Sequence, residues 1–122
     1  MDTGCRCGKE LSLILACSGG SNVGQLSNEV ARALTVEGKA QVYCMAGLAG
    51  QVEPIMERIR TAEKVVVVDG CAVACVKKAM QLAGITEFAY VDLTEAGIEK
   101  TGDLELQPEE TATARAAVEA AL

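Results

Sequence analysis

Histidine and tryptophan are both absent from this chain of 122 residues. Every mechanism that uses an imidazole as a base, an acid or a metal ligand is therefore excluded. Aromatic residues are scarce as well, since the chain has only Tyr43, Phe88 and Tyr90. Half of the residues are hydrophobic, so the chain can form a core. Because so few of them are aromatic, that core must be built from Val, Ile, Leu, Ala and Met. An aliphatic core of this kind is typical of buried parallel strands between helices.

The chain also lacks a basic surplus and a long apolar run. It has 11 Lys and Arg residues against 17 Asp and Glu residues, a formal net charge of −6. Because an acidic surface repels phosphate backbones, we expect no nucleic-acid partner. The longest apolar runs are far below the ~18 residues that span a bilayer, so we expect no membrane partner and a cytoplasmic location. The sequence identifies no protein partner and leaves a homodimer open.

Strand-like and helix-like segments alternate along the chain after a polar tail at residues 1–10. Short apolar runs predict strands at 11–17, 40–45, 64–69 and 87–93. Helices are predicted to begin near Asn22, Pro54, Gly70 and Pro108, whereas residues 94–107 fit a loop, a short helix or an added strand. This order predicts one α/β domain over residues 11–122. Its expected architecture is a three-layer Rossmann-like sandwich, with helices on both faces of a mainly parallel sheet of four to five strands.

Six cysteines are unusual in an aliphatic α/β chain. In a reducing compartment, clustered thiols indicate metal binding or catalysis rather than disulfides. Cys17, Cys44 and Cys71 fall at the ends of the first three predicted strands, and Cys75 lies one helical turn beyond Cys71. Carboxyl ends of parallel strands meet at one edge of a sheet, so a strand order of two-one-three would gather these thiols there. We therefore predict a zinc site with thiolate ligands.

Further residues adjoin the predicted zinc site. Asp69, Ser18 and Gly70 are expected to lie around the ligands, and Asp69 serves either as an acceptor beside them or as a helix cap. The pair Cys5 and Cys7 lies in the tail. These two cysteines are either part of an exposed tail or additional ligands for a second ion.

The segment 69–75 reads Asp-Gly-Cys-Ala-Val-Ala-Cys. Together with Cys-Ser-Gly-Gly-Ser-Asn-Val-Gly at 17–24 and Cys-Met-Ala-Gly at 44–47, it resembles the DGC-domain family, which is described as a family of candidate zinc-binding proteins. The resemblance implies that Cys17, Cys44, Cys71 and Cys75 are metal ligands, in one site or two. It implies no reaction.

Three functions compete on the sequence alone, and the question of enzymatic activity stays open. A zinc-binding protein with a structural, storage, sensing or delivery role comes first. A cysteine-based redox or sulfur-transfer enzyme is the alternative, because thiols near helix N-termini suit nucleophilic chemistry. An iron–sulfur protein is the second alternative, since four cysteines also suit clusters. Phosphoryl transfer is disfavoured, because the loop at 18–24 lacks the Gly-Lys-Ser/Thr of a P-loop.

Overall fold

Four short apolar segments form one parallel sheet in the computed structural model, which describes residues 10–122. The strands are β1 (Leu13–Ala16), β2 (Gln41–Val42), β3 (Val65–Asp69) and β4 (Ala89–Asp92). All neighbours pair in parallel, and their order is β2-β1-β3-β4. The predicted α/β fold is confirmed, and so is the two-one-three order on which the zinc hypothesis depends. Cys5 and Cys7 lie outside the described residues.

Among residues 10–122, five helices cover the two faces of the sheet. They are α1 (Asn22–Val36), α2 (Met45–Ala49), α3 (Glu53–Thr61), α4 (Cys75–Leu82) and α5 (Pro108–Glu119). Helices α1 and α5 pack on one face, here called the α1/α5 face, and α2, α3 and α4 pack on the other, here called the α3/α4 face. In the described part of the chain, no helix is long and apolar enough to cross a bilayer.

The four valines of β3 are explained by the two covered faces. Val66 and Val68 contact the core of the α1/α5 face, whereas Val65 and Val67 contact the core of the α3/α4 face. Successive side chains of a strand point to opposite sides, so a strand covered on both sides needs apolar residues at every position. Its neighbour β1 is buried along its whole length for the same reason.

Helix α1 begins at Asn22, as predicted, and Ser21 caps it, since its Oγ accepts a hydrogen bond from Gly24 N at 3.1 Å. Two other predicted boundaries are wrong, each because of a helix cap. The predicted strand at 40–45 stops at Val42, because Cys44 caps α2. The helix predicted near Gly70 begins only at Cys75, because the Asp69 carboxylate accepts hydrogen bonds from the first turn of α4. Residues 94–107 contain neither helix nor strand.

Gly70 allows the end of β3 to approach the first turn of α1. A Cβ atom at Gly70 would lie 2.8 Å from Val23 C and 2.9 Å from Gly24 N, and these backbone atoms cannot rotate away. Gly24 is equally confined, because its Cβ would lie 2.7 Å from Gly19 O. The two glycines therefore let the end of β3 and the loop after β1 both pack closely against the first turn of α1.

This close packing predicts that Gly70→Ala destabilises the fold. The added methyl group must push two backbone segments apart, which costs about 1–3 kcal/mol in the free energy of unfolding. Gly20→Ala is the matched control, because a Cβ there meets no atom within 4 Å. Urea unfolding followed by circular dichroism measures both. Equal stability of the two variants would contradict the proposed role of Gly70.

Candidate thiol site at the carboxyl edge of the sheet

The four described cysteines all lie at the carboxyl edge of the sheet. Cys17 follows β1 directly, and its N–H continues the ladder to Val68 O at 3.0 Å. Cys44 lies two residues beyond β2, Cys71 lies two residues beyond β3, and Cys75 is the first residue of α4. All four are free thiols, with Cys44 and Cys75 exposed and the other two half-buried.

The four thiols do not share one side of the sheet. Cys17 packs against the core of the α3/α4 face, and Cys71 packs against the core of the α1/α5 face. Because Cys71 precedes α4 in a loop, the prediction that Cys71 and Cys75 share one helical face is wrong. Among residues 10–122, no three His, Cys, Asp or Glu side chains lie close enough together to hold a metal ion.

Cys44 and Cys75 lie at matching ends of two neighbouring helices. Cys44 caps α2 and Cys75 opens α4, and both helices belong to the α3/α4 face. Beyond the far end of α2, Gln51 donates from Nε2 to the carbonyl oxygen of Leu82, the last residue of α4, at 3.3 Å. The two helices therefore run in the same direction, and their N-termini face the same edge as Cys17.

Within the part of the chain that the structure describes, three of these four sulfur atoms accept a hydrogen bond. Gly19 N donates to Cys17 Sγ at 3.3 Å, and Gly47 N donates to Cys44 Sγ at 3.3 Å. Cys71 Sγ accepts instead from a charged group, the Lys100 ammonium, at 3.4 Å. The thiolate is the form of cysteine that binds metals and attacks electrophiles. Donors directed at sulfur are the contacts that such a negatively charged ligand or nucleophile uses.

Asp69 caps α4 from the end of β3, because the N-cap residue Ala74 has no side chain that can accept from the free N–H groups. Its Oδ1 accepts from Val76 N at 2.8 Å, and its Oδ2 accepts from Lys77 N at 3.0 Å and from the Tyr90 hydroxyl at 2.9 Å. The side chain is 1% exposed, so these donors replace the water that the carboxylate loses. Of the two roles predicted for Asp69, the structure therefore supports the cap.

The other two residues expected around the ligands act through their backbones. Ser18 is exposed, and its carbonyl oxygen accepts from Gln25 Nε2 at 2.9 Å. Gly70 is buried, and its lack of a side chain lets the end of β3 pack closely against the backbone of α1. Within residues 10–122, neither of them forms a hydrogen bond to a cysteine sulfur.

Tyr90 joins β4 to the Asp69 cap. Burial raises the pKa of its hydroxyl above the ordinary value, and the hydrogen bond to Asp69 and the charge of that carboxylate raise the pKa further. The Lys77 ammonium lies 4.4 Å from the centre of the Tyr90 ring, a cation–π contact on the same side chain. Lys77 N and the Tyr90 hydroxyl both donate to Asp69 Oδ2, and the Lys77 ammonium also contacts the Tyr90 ring. These contacts connect the start of α4 to β4.

Asn22 is a site residue that the sequence analysis missed. It is 3% exposed, and its side-chain amide donates from Nδ2 to Glu99 O at 2.9 Å. Its Oδ1 accepts from Thr101 N at 2.6 Å. Asn22 thereby ties α1 to the loop that carries Lys100. No local sequence pattern predicts these contacts, because the partners of Asn22 lie 77 and 79 residues away in the sequence.

Comparison with known proteins shows that the chain matches a protein family over most of its length. The family model of the DGC domain matches residues 13–118, which include the four described cysteines. A Pseudomonas aeruginosa protein named anaerobic and virulence modulator AnvM is 36% identical over 90 residues, covering 74% of this chain and 69% of that relative. No solved structure matches the chain significantly. The resemblance drawn from the sequence motifs is therefore confirmed.

The Asp69 cap predicts a large cost for Asp69→Asn. The substitution removes the charge that satisfies two N–H groups and a hydroxyl, and it should lower the free energy of unfolding by about 2–3 kcal/mol. Tyr90→Phe removes one of these three donors and should cost about 1–1.5 kcal/mol. Urea unfolding at neutral pH ranks the two variants. A cost for Asp69→Asn no greater than that for Tyr90→Phe would contradict its role as the cap.

The raised pKa of Tyr90 predicts a loss of stability at alkaline pH. Because folding favours the neutral phenol, its contribution is present below the ordinary pKa of about 10 and is lost as pH rises above it. The difference in unfolding free energy between the wild type and Tyr90→Phe should therefore shrink above that pH. Urea unfolding at a series of alkaline pH values tests this, and a difference that stays constant would count against the Tyr90–Asp69 contact.

Proposed function

This chain belongs to the DGC-domain family, and we propose that it binds zinc through the thiolates of Cys17, Cys44, Cys71 and Cys75. The observation that supports the proposal is the position of all four free thiols at the carboxyl edge of the sheet. Thiolates are soft ligands that suit zinc, and the chain has no imidazole to compete with them.

The proposed ligands need a rearrangement before they can share one ion. Sulfur atoms around zinc lie about 2.3 Å from the metal, so they must approach one another closely. Cys17, Cys44 and Cys75 lie on the α3/α4 side, so the proposed site requires their side chains to turn toward one another. Cys71 lies in the helix-free loop 70–74 and packs against the α1/α5 face, so the proposed site also requires that loop to shift.

Zinc held by four thiolates has no open coordination position, so it would supply structure or charge rather than an activated water. A regulatory role fits a site of this kind. The Pseudomonas aeruginosa relative is named as an anaerobic and virulence modulator, and by that likeness we propose that the thiol site of this chain senses rather than turns over a substrate. The edge position of the thiols, two of them exposed, supports exchange with the surroundings.

Thiol chemistry is the second candidate function, and one contact favours it. Cys71 faces the Lys100 ammonium at 3.4 Å and lies on the opposite side of the sheet from Cys17. A cation beside a sulfur suits a nucleophile as well as a ligand. Metal-free protein with rapid and selective alkylation of Cys71 would favour this function over zinc binding. A brown protein after anaerobic purification would instead favour an iron–sulfur cluster.

Elemental analysis of protein purified without added metal tests the zinc proposal. We expect about one to two zinc ions per chain, with a large loss of zinc when any of the four cysteines is changed to Ser. Cys44→Ser is the sharpest variant, because Ser is a preferred helix cap and keeps α2 capped while it removes the sulfur. Wild-type protein without zinc would contradict the proposal.

Two controls separate loss of a ligand from loss of the fold. Circular dichroism of each variant reports whether the helices remain. A Cys5→Ser/Cys7→Ser double variant measures what the tail contributes. Zinc content near one ion in the double variant and near two in the wild type would assign a second ion to the tail, and unchanged content would leave the four edge thiols as the ligands. Full zinc content in Cys71→Ser would remove Cys71 from the ligand set.

A further inference from the structure

The backbone on both sides of Lys100 is fixed by one buried residue. Asn22 donates from Nδ2 to Glu99 O at 2.9 Å, and its Oδ1 accepts from Thr101 N at 2.6 Å. A third hydrogen bond runs from Asn22 N to Thr101 O at 3.0 Å. Because Asn22 is the first residue of α1 and is 3% exposed, the loop is attached to a rigid part of the core.

The loop places a positive charge at one thiol. The Lys100 ammonium donates to Cys71 Sγ at 3.4 Å, across a sequence separation of 29 residues. Cys17 and Cys44 accept from neutral backbone N–H groups instead. Of the three sulfurs that accept a hydrogen bond, Cys71 is thus the one that faces a full charge. In a chain with a net charge of −6, this ammonium changes the local field at Cys71.

From this geometry we infer that Lys100 is a residue of the thiol site and that Asn22 is its positioning residue. Lys100 offsets negative charge at Cys71 and attracts anionic thiol-reactive molecules, such as disulfides that carry carboxylates. The inference rests on the proposed function in that it takes the edge thiols as the working site, but it does not require the metal. A counter-charge at this position also suits a zinc ion with four thiolates, whose net charge is −2.

The reaction that reports this charge is thiol–disulfide exchange. The Cys71 thiolate attacks one sulfur of the disulfide, so a new S–S bond forms while the reagent's own S–S bond breaks. The other half of the reagent leaves as a thiolate, which carries away the electron pair of the broken bond. The Cys71 sulfur is oxidised to the disulfide level, and the departing sulfur is reduced.

Two disulfide reagents, one anionic and one neutral, isolate the effect of charge. Dithiobis(nitrobenzoate) is an anionic aromatic disulfide, and dithiodipyridine is a neutral one. The full-length chain, freed of metal with a chelator, reacts with each reagent, and mass spectrometry of the Cys71 peptide gives the rate at that thiol. The ratio of the anionic rate to the neutral rate is the measured quantity. A variant that merely alters the accessibility or ionisation of Cys71 changes both rates together and leaves the ratio the same.

We expect Lys100→Met to lower this ratio about fivefold, the size of one charge interaction at ~4 Å in bulk water, because the Lys100 side chain is exposed to solvent. Lys100→Arg should retain the ratio within about twofold, because the charge is kept. Lys78→Met is the matched control, since it removes the same charge from an exposed position on α4 and should leave the ratio unchanged. Added salt should lower the ratio in the wild type and much less in Lys100→Met.

The positioning role has its own variant. Asn22→Ala removes the two side-chain hydrogen bonds that flank Lys100 and keeps the backbone bond from position 22 to Thr101 O, so it should lower the ratio while Lys100 is still present. Urea unfolding of this variant confirms that it folds. An unchanged ratio in folded Asn22→Ala would remove Asn22 from the inference, and an unchanged ratio in Lys100→Met would overturn the inference as a whole. Because the ratio is measured without metal, it separates this result from success or failure of zinc binding.

Discussion

The buried carboxylate of Asp69 is the contact on which the geometry of the site depends. It lies at the last position of β3, where it is 1% exposed and accepts hydrogen bonds from two N–H groups of α4 and from Tyr90. A helix N-terminus favours negative charge, so the carboxylate and α4 stabilise each other. This contact sets the residue at which α4 begins, and it therefore determines that Cys71 lies in a loop and Cys75 on the helix.

In the motif Asp69-Gly70-Cys71, the first two residues therefore have structural roles and the third has a chemical role. Asp69 caps α4, Gly70 gives the room that α1 needs, and Cys71 presents its sulfur to Lys100. Since the first two residues act on opposite sides of β3, a change in either one shifts the loop that carries the thiol. The motif is therefore a unit in which the fold orients the sulfur.

The layers of the fold could be predicted from local sequence patterns. The side of the sheet on which each thiol lies could not. The valines of β3 and Pro108 at the start of α5 mark their elements in the sequence. The edge at which the cysteines lie follows from the strand ends alone. Their division between two faces depends on the cap at Asp69, and the place of Lys100 depends on Asn22, which is 77 to 79 residues distant from its side-chain partners. Such contacts leave no periodic signal, because they involve single residues from separate loops.

The brevity of β2 has a consequence for association between molecules. This strand forms one border of the sheet and has two residues, Gln41 and Val42, whereas β4 at the other border has four. A border of two residues exposes too few free amide and carbonyl groups to template another chain, which is one way in which natural sheets resist edge-to-edge aggregation. Any self-association by continuation of the sheet would therefore have to use β4, on the far side of β3 from Cys17 and Cys44, and would leave that pair of thiols uncovered.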